Sequence, residues 1–168
     1  PELLPVALAA ARDAIAANIP GALGIHVEGP FISQAKRGVH AAAVLRAPSR
    51  EEIAALKAPN GGVTLLTVAP EIVPPETIAA LTRAGVRVFL GHSDADAATV
   101  NAALAAGACG FTHLYNAMSA LGSRAPGMVG AALADRASWC GLIVDGHHVH
   151  PIALKAALAA KPRGKCVL

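Results

Sequence analysis

The sequence predicts an α/β fold in which helices cover a parallel sheet. β-rich apolar runs alternate with Ala-rich segments of helical spacing along the 168 residues. The apolar runs are nearly continuous, as in strands that are buried on both faces. A strict strand-then-helix order is typical of parallel strands joined by right-handed crossovers. Most successive strands begin roughly 23 to 30 residues apart, near the ~31 residues per unit of an eight-unit (β/α) barrel.

The first 20 residues are predicted to form an amphipathic helix. Their apolar positions are interrupted by Glu2, Arg12 and Asp13, and no basic leader precedes them, so the segment is not typical of a signal peptide. Six β-rich apolar runs follow and are predicted as strands: 23–31, 63–71, 86–93, 110–118, 139–146 and 165–168.

Five Ala-rich segments are predicted as the intervening helices: 50–58, 75–85, 96–107, 127–136 and 150–161. Pro75 stands in a first turn, where a missing N–H is tolerated, and Gly85 and Gly107 stand at helix ends. Asp94 and Asp96 are interpreted as a cap on the helix that follows them.

Periodicity alone does not choose between a barrel and a doubly wound open sheet, because both alternate strands and helices. Neither GxGxxG nor GxxxxGK[ST] follows any predicted strand. The sequence therefore lacks the two motifs by which open parallel sheets most commonly bind nucleotides.

Composition excludes several classes of function. The chain is 54% hydrophobic and 15% charged, which excludes a disordered protein. Only 3% of residues are aromatic, and the net charge of +3 comes without a basic run, so we expect no nucleic-acid partner. No apolar stretch reaches the roughly 18 residues of a membrane helix, so we expect no membrane partner.

Cys109, Cys140 and Cys166 are widely spaced, odd in number and without a CxxC motif. They are interpreted as small buried thiols in a reducing environment, which predicts a cytoplasmic protein without a disulfide framework.

Three potential metal donors stand at the ends of separate predicted strands. Glu28 closes GIHVEG, His92 follows VFLG, and His113 lies in GFTHLYN. Side chains at the carboxyl ends of parallel strands converge on one rim, and one carboxylate with two imidazoles is a donor set of catalytic zinc sites. The alternative is that each residue is a hydrogen-bonded structural group. Asp145, after a later strand, is interpreted as a turn residue or a partner for a neighbouring histidine.

Five motifs resemble those of N-acetylglucosamine-6-phosphate deacetylase, in the amidohydrolase superfamily of metal-dependent (β/α)8 barrels. They are HVEGPF at 26–31, VTLLTVAPE at 63–71, GHSDA at 91–95, THLYNAM at 112–118 and VDGHHVHP at 144–151. The resemblance implies an α/β fold of TIM (β/α)8 type, here an incomplete barrel of about six βα units. It also implies hydrolysis of N-acetylglucosamine 6-phosphate to glucosamine 6-phosphate and acetate.

The resemblance implies residue roles as well. The metal ligands would be Glu28, His92 and His113, and the metal would be zinc, with iron or cobalt as alternatives. The residues implied to bind the amino-sugar phosphate are His40, Asn116, Ala117, Arg124 and His148. A homodimer is implied in which some phosphate contacts cross the interface, so Arg124 or His148 could serve the neighbouring subunit.

Other features implied by the resemblance have no counterpart in the sequence. We expect the general acid–base aspartate to lie beyond Leu168, and a His-x-His metal motif to lie before residue 1. Residues 1–168 are thus interpreted as a partial amidohydrolase barrel domain without the flanking small β domain, and we expect this chain alone to be inactive. The alternatives are a truncated, non-catalytic phosphosugar-binding barrel and a different amidohydrolase.

An isomerase or aldolase barrel is discounted because the lysines occupy unsuitable positions. Lys57, Lys155, Lys161 and Lys165 fall in predicted helices, loops or a strand start, not inside the barrel.

Overall fold

The computed structural model describes residues 3–59 and 61–168, so the first two residues of the predicted N-terminal helix lie outside it. The helices are α1 (Leu3–Ala16), α2 (Arg50–Lys57), α3 (Pro75–Arg83), α4 (Ala97–Ala105), α5 (Gly127–Ala134) and α6 (Pro151–Ala160). The strands are β1 (Gly24–Glu28), β2 (Val63–Val68), β3 (Arg87–Leu90), β4 (Gly110–Phe111), β5 (Trp139–Gly141) and β6 (Cys166–Val167). All six predicted strands and all six predicted helices are confirmed.

The six strands form one parallel sheet in the order of the chain, from β1 to β6. A doubly wound sheet reverses its strand order at a switch point, whereas a barrel adds each strand beside the previous one. The observed order is therefore that of a segment of a (β/α)8 barrel.

Local signals explain where the helices begin. Ser49 and Glu52 form a reciprocal capping box at α2, and Pro75 opens α3. Asp96 caps α4 by accepting a 2.8 Å hydrogen bond from the backbone N–H of Thr99, as predicted. Asp94 does not cap the helix: its carboxylate lies 3.3 Å from the Nζ of Lys36 and forms an ion pair with it.

The core lies between the helices and the outer face of the sheet. Fully buried strand residues such as Leu66, Val88 and Leu90 pack against Ile78 of α3 and Val100 of α4. The opposite, inner face of the sheet is more accessible, and its large apolar residues Val63, Trp139 and Val167 are exposed. None of the helices in residues 3–59 and 61–168 is long and apolar enough to cross a membrane.

The three cysteines are free thiols, one directly before β4 and the others in β5 and β6, and only Cys140 is buried. Burial raises the pKa of Cys140 to about 11, which makes this thiol a poor nucleophile. The prediction of buried thiols is wrong for Cys109 and Cys166, which are half-buried. Cys109 lines a groove with the exposed inner-face residues, and Cys166 belongs to a strand at the edge of the sheet.

Lys161 is buried, which its position at the end of a predicted helix did not indicate. It ends α6, and its ammonium donates to the carbonyl of Ala132 at 3.0 Å, to the hydroxyl of Ser138 at 3.1 Å and to the carbonyl of Asp135. Lys161 therefore satisfies carbonyl groups at the C-terminal end of α5 and joins α6 to that end.

Candidate metal centre

The three predicted metal donors meet at the carboxyl ends of the strands. Glu28 is the last residue of β1, while His92 and His113 each lie two residues beyond the ends of β3 and β4. The Oε1 of Glu28 is 3.0 Å from the Nε2 of His92 and 2.9 Å from the Nε2 of His113. The two Nε2 atoms are 3.0 Å apart.

Backbone carbonyls orient both imidazoles. The Nδ1 of His92 lies 2.8 Å from the carbonyl oxygen of Lys36, and the Nδ1 of His113 lies 3.1 Å from that of Asn116. A carbonyl can only accept, so each Nδ1 carries the hydrogen and donates it. In a neutral ring this leaves the Nε2 lone pair directed at the cluster, which is the arrangement of histidines that bind metals.

This donor set fits a divalent metal. One carboxylate oxygen and two imidazole lone pairs approach one another at about 3 Å, so a proton or a cation must offset their mutual repulsion. A glutamate with two histidines is a set of protein ligands used by catalytic zinc sites.

The electrostatics of the cluster also favour positive charge. When their Nε2 atoms are protonated, hydrogen bonds from His113 and then from His92 hold the pKa of Glu28 well below its usual range, so the carboxylate is ionised. Burial disfavours the charged form of His92, but its contacts with Glu28 and with the Lys36 carbonyl outweigh burial and raise its pKa. The cluster is thus a place where a cation is stabilised.

Several residues around the centre adopt the left-handed backbone region, which is unfavourable for residues other than glycine. The φ angles are 48° at His92, 39° at His113, 78° at Tyr115 and 50° at Ala117. Cross-strand hydrogen bonds hold this geometry: Ser93 N–H donates to the Ala117 carbonyl at 3.0 Å. The loops after β3 and β4 are therefore fixed to one another.

His40 lies closer to the donors than its implied substrate-binding role suggested. Its ring meets the His92 ring edge-on, with the centroids 4.9 Å apart. Potential ligand atoms of Glu28, His40 and His92 lie within 4.8 Å of one another. His40 is thus a further potential ligand, or a neighbour of anything bound there.

Asn116 and Ala117 are tied to the donors through their backbones. The Asn116 carbonyl accepts from His113, and the Asn116 N–H donates to the His113 carbonyl at 2.9 Å. The Ala117 carbonyl accepts from the residue that follows His92. The segment implied to bind substrate is therefore the one that holds two of the donors.

Arg124 and His148 lie in exposed loops at the same end of the strands. The Nδ1 of His148 lies 2.6 Å from Asp145, whose other oxygen accepts the N–H groups of His147 and His148 at 2.9 Å each. Asp145 is thus both a turn residue and a histidine partner, as predicted. These backbone hydrogen bonds, together with the contact to His148, hold its pKa well below the usual range.

Glu71 and Ser93 form a link that sequence reasoning missed. The hydroxyl of Ser93, which is fully buried, donates to Glu71 at 2.6 Å, and the N–H of Asp94 donates to the other carboxylate oxygen at 2.8 Å. Glu71 therefore ties the loop after β2 to the loop that carries His92. Its position just after a strand, in VAPE, was the available signal.

A barrel-type parallel sheet with one carboxylate and two imidazoles at its carboxyl rim defines a class of protein: an α/β barrel with a candidate divalent-metal centre. The chain matches no protein-family model. It is 52% identical over 160 residues to N-acetylgalactosamine-6-phosphate deacetylase of Shewanella sp. (strain ANA-3), covering 95% of this chain and 41% of that protein. It is 43% identical over 153 residues to N-acetylglucosamine-6-phosphate deacetylase of Rattus norvegicus, covering 86% of this chain and 37% of that protein.

Solved structures give the same result. N-acetylglucosamine-6-phosphate deacetylase of Pasteurella multocida superposes with a TM-score of 0.90 at 35% identity, over 95% of this chain and 42% of that one. The Mycobacterium smegmatis enzyme superposes with a TM-score of 0.88 at 35% identity, over 98% of this chain and 44% of that one. The predicted resemblance is confirmed: the chain is homologous to N-acetylhexosamine-6-phosphate deacetylases and spans about two-fifths of their length.

Proposed function

We propose that the protein containing this chain is a metal-dependent deacetylase of an N-acetylhexosamine 6-phosphate. The observation that carries this proposal is the convergence of Glu28, His92 and His113, with both histidines oriented by backbone carbonyls. The convergence lies in a segment that is 43–52% identical to relatives named as deacetylases of such substrates.

Glu28, His92 and His113 would hold the metal, with His40 beside them. A divalent metal in this place supplies Lewis-acid polarisation of the acetamide carbonyl and lowers the pKa of water. The chain contributes a donor set with a single negative charge, which leaves net positive charge at the centre. No general acid–base group is assigned among residues 1–168.

Arg124, His148 and the backbone at Asn116 and Ala117 would bind the sugar phosphate. A guanidinium offers a fixed fork that matches two phosphate oxygens, and Asp145 orients the His148 ring. Phosphate contacts remote from the amide fix the acetyl group against the metal centre, and such positioning lowers the barrier. The shared use of Asn116, whose carbonyl holds His113, would couple the two parts of the site.

Two substrates are candidates because the relatives divide between them. The motifs predict N-acetylglucosamine 6-phosphate, whereas the relative at 52% identity is named for the galactosamine epimer. We propose acetate release from at least one of these 6-phosphates.

We also propose zinc as the metal, a homodimer as the assembly and the cytoplasm as the location. The donor set supports zinc, since one carboxylate and two imidazoles are common zinc ligands. In the homodimer, the exposed loops that carry Arg124 and His148 would contact phosphate bound to either subunit.

The test is a comparison of kcat/KM for acetate release from both 6-phosphate epimers and from unphosphorylated N-acetylglucosamine. It uses the zinc-loaded protein that contains this chain, since we expect residues 1–168 alone to be inactive. We expect kcat/KM for one 6-phosphate to exceed that for the unphosphorylated sugar by at least about 100-fold. The unphosphorylated sugar lacks the charge-assisted hydrogen bonds to the phosphate, which contribute about 3 kcal/mol. Equal rates with and without the phosphate, or no release from either epimer, would contradict the proposal.

A further inference from the structure

A short chain of hydrogen bonds crosses the inner face of the sheet just below the metal donors. The Nε2 of His26 lies 2.8 Å from the hydroxyl of Thr67, and that hydroxyl lies 2.7 Å from the hydroxyl of Thr112. One hydroxyl can donate once and accept as well, so the three groups form a continuous chain. His26 belongs to β1, Thr67 to β2, and Thr112 directly follows β4.

β1, which ends at Glu28, and β4, which precedes His113, are not neighbours in the sheet, because β2 and β3 lie between them. β4 is only two residues long, and beyond it single backbone hydrogen bonds flank His113, from Thr112 N–H to the Leu90 carbonyl at 2.9 Å and from Leu114 N–H to the Gly141 carbonyl at 2.8 Å. The hydrogen-bonded chain supplies a direct side-chain connection. Thr112 precedes His113, while Thr67 is the register partner of Glu28.

Gly91 makes this connection possible. It directly follows β3 and lies between Thr67 and Thr112. A methyl group added to Gly91 would lie 3.1 Å from the Cγ2 of Thr67 and 3.2 Å from the Cβ of Thr112. Both distances are shorter than ordinary van der Waals contact, so only glycine lets the two threonines meet across the strand without displacement.

We propose that Thr67 is a positioning residue for the metal centre, which it serves by joining His26 and Thr112 across Gly91. This role rests on the proposed function, since it concerns the same donor set. Thr67 is fully buried, and no buried side-chain nitrogen or oxygen in the described part of the chain lacks a hydrogen-bond partner. Loss of its hydroxyl would break both hydrogen bonds and remove this side-chain connection between His26 and Thr112.

The test uses Thr67→Val, which keeps the shape of the side chain and removes the hydroxyl. Zinc affinity is measured by competition with a chromophoric chelator, and the visible spectrum of the cobalt-substituted protein reports donor geometry. We expect about tenfold weaker zinc binding, the low end of the effect of losing an outer-shell partner, together with a shifted cobalt spectrum. Thr67→Ser retains the hydroxyl and should restore both readouts.

A matched control separates positioning from general stability. Thr82→Val removes the hydroxyl of a half-buried threonine, which lies 3.2 Å from each of two backbone carbonyls, Ala79 and Ala106, away from the centre. Thermal unfolding of the metal-free forms should show a comparable loss for both valine variants, while zinc affinity should fall only in Thr67→Val. If Thr67→Val does not fold, Thr112→Val takes its place in the test, because it removes the hydroxyl at the other end of the same hydrogen bond.

The outcomes separate the two proposals. Unchanged zinc affinity and an unchanged cobalt spectrum in Thr67→Val, in a protein whose unsubstituted form binds zinc, would overturn the role of Thr67 alone. A folded, unsubstituted protein that binds no zinc would overturn the proposed function and this role with it.

Discussion

The metal donors and the predicted phosphate residues lie at the same end of the strands, but they are held in different ways. The side chains of Glu28, His92 and His113 are 31%, 8% and 17% exposed. They contact one another across the sheet, and the ring of His92 also contacts the distant Lys36 carbonyl. His148 is 54% exposed, and its hydrogen-bond partner, Asp145, belongs to its own loop. The chain therefore preorganises its donor cluster through contacts between different strands, whereas the His148 ring is ordered only within its own loop.

The physical reason is burial. A buried polar group must find a partner, so the low exposure of the donors forces carbonyls, hydroxyls and neighbouring donors into fixed positions. An exposed arginine or histidine can exchange its partners for water, so its position depends on a bound ligand. Substitutions should therefore divide into those that remove the metal centre and those that weaken substrate binding alone.

The largest effect is expected for Glu28→Gln. The substitution keeps the shape of the side chain and removes the negative charge that both histidines contact. Because loss of a mere outer-shell partner weakens metal binding by about 10- to 100-fold, loss of this carboxylate should exceed about 100-fold. Zinc affinity by chelator competition measures it. An affinity within tenfold of the unsubstituted protein would show that Glu28 is not a ligand.

Arg124→Ala tests whether phosphate binding can be lost without loss of the metal centre. We expect zinc affinity to stay unchanged, while kcat/KM for the 6-phosphate falls about 10- to 100-fold, since a charge-assisted hydrogen bond contributes about 1.5–3 kcal/mol. The unphosphorylated sugar should be turned over equally by both proteins. A parallel loss of zinc affinity would mean that the two regions are not separable.

Asp145→Asn should have a smaller effect on the same region. The substitution removes the carboxylate that accepts from the Nδ1 of His148 and weakens the turn that orients its ring. We expect KM for the 6-phosphate to rise about threefold to tenfold, with kcat nearly unchanged, because only a contact that orients the His148 ring is lost. A fall in kcat with constant KM would assign His148 to chemistry, not to binding.

An ion pair beside the metal donors predicts an acid-stability effect: Arg46 and Glu52 line a cavity together with Glu28 and His40. Hydrogen bonds from Arg46 lower the pKa of Glu52, whose side chain is 9% exposed. A carboxyl with a depressed folded pKa contributes stability above its unfolded pKa, near 4.5, and loses it as pH falls through the folded pKa. Glu52→Gln should therefore be less stable at pH 7, and its free energy of unfolding should vary less between pH 5 and 3. Equal pH profiles in urea unfolding would contradict this.

Much of the fold follows from local sequence patterns. Continuous apolar runs located all six strands, and Pro75, Asp96 and Gly85 marked helix ends where the structure has them. The short 3₁₀ turns at Gln34–Lys36 and Ala42–Val44 were missed, because three-residue turns carry no periodic signal.

The donor cluster was predictable because the carboxyl ends of parallel strands meet at one edge of the sheet, whatever path the loops take. The position of His40 was not, because it lies in a long loop whose path depends on contacts with β1 and the loop after β3. The pairing of Asp94 with Lys36 and the burial of Lys161 also depend on tertiary neighbours that sequence spacing does not specify.

A zinc titration by calorimetry tests the preorganised donor cluster most directly. It compares the folded, metal-free protein with a His92→Ala, His113→Ala double variant. We predict one tight site in the unsubstituted protein that vanishes in the variant, while far-ultraviolet circular dichroism shows both to be folded. Equal zinc binding by the two proteins, or no binding by the unsubstituted one, would contradict a metal centre at Glu28, His92 and His113.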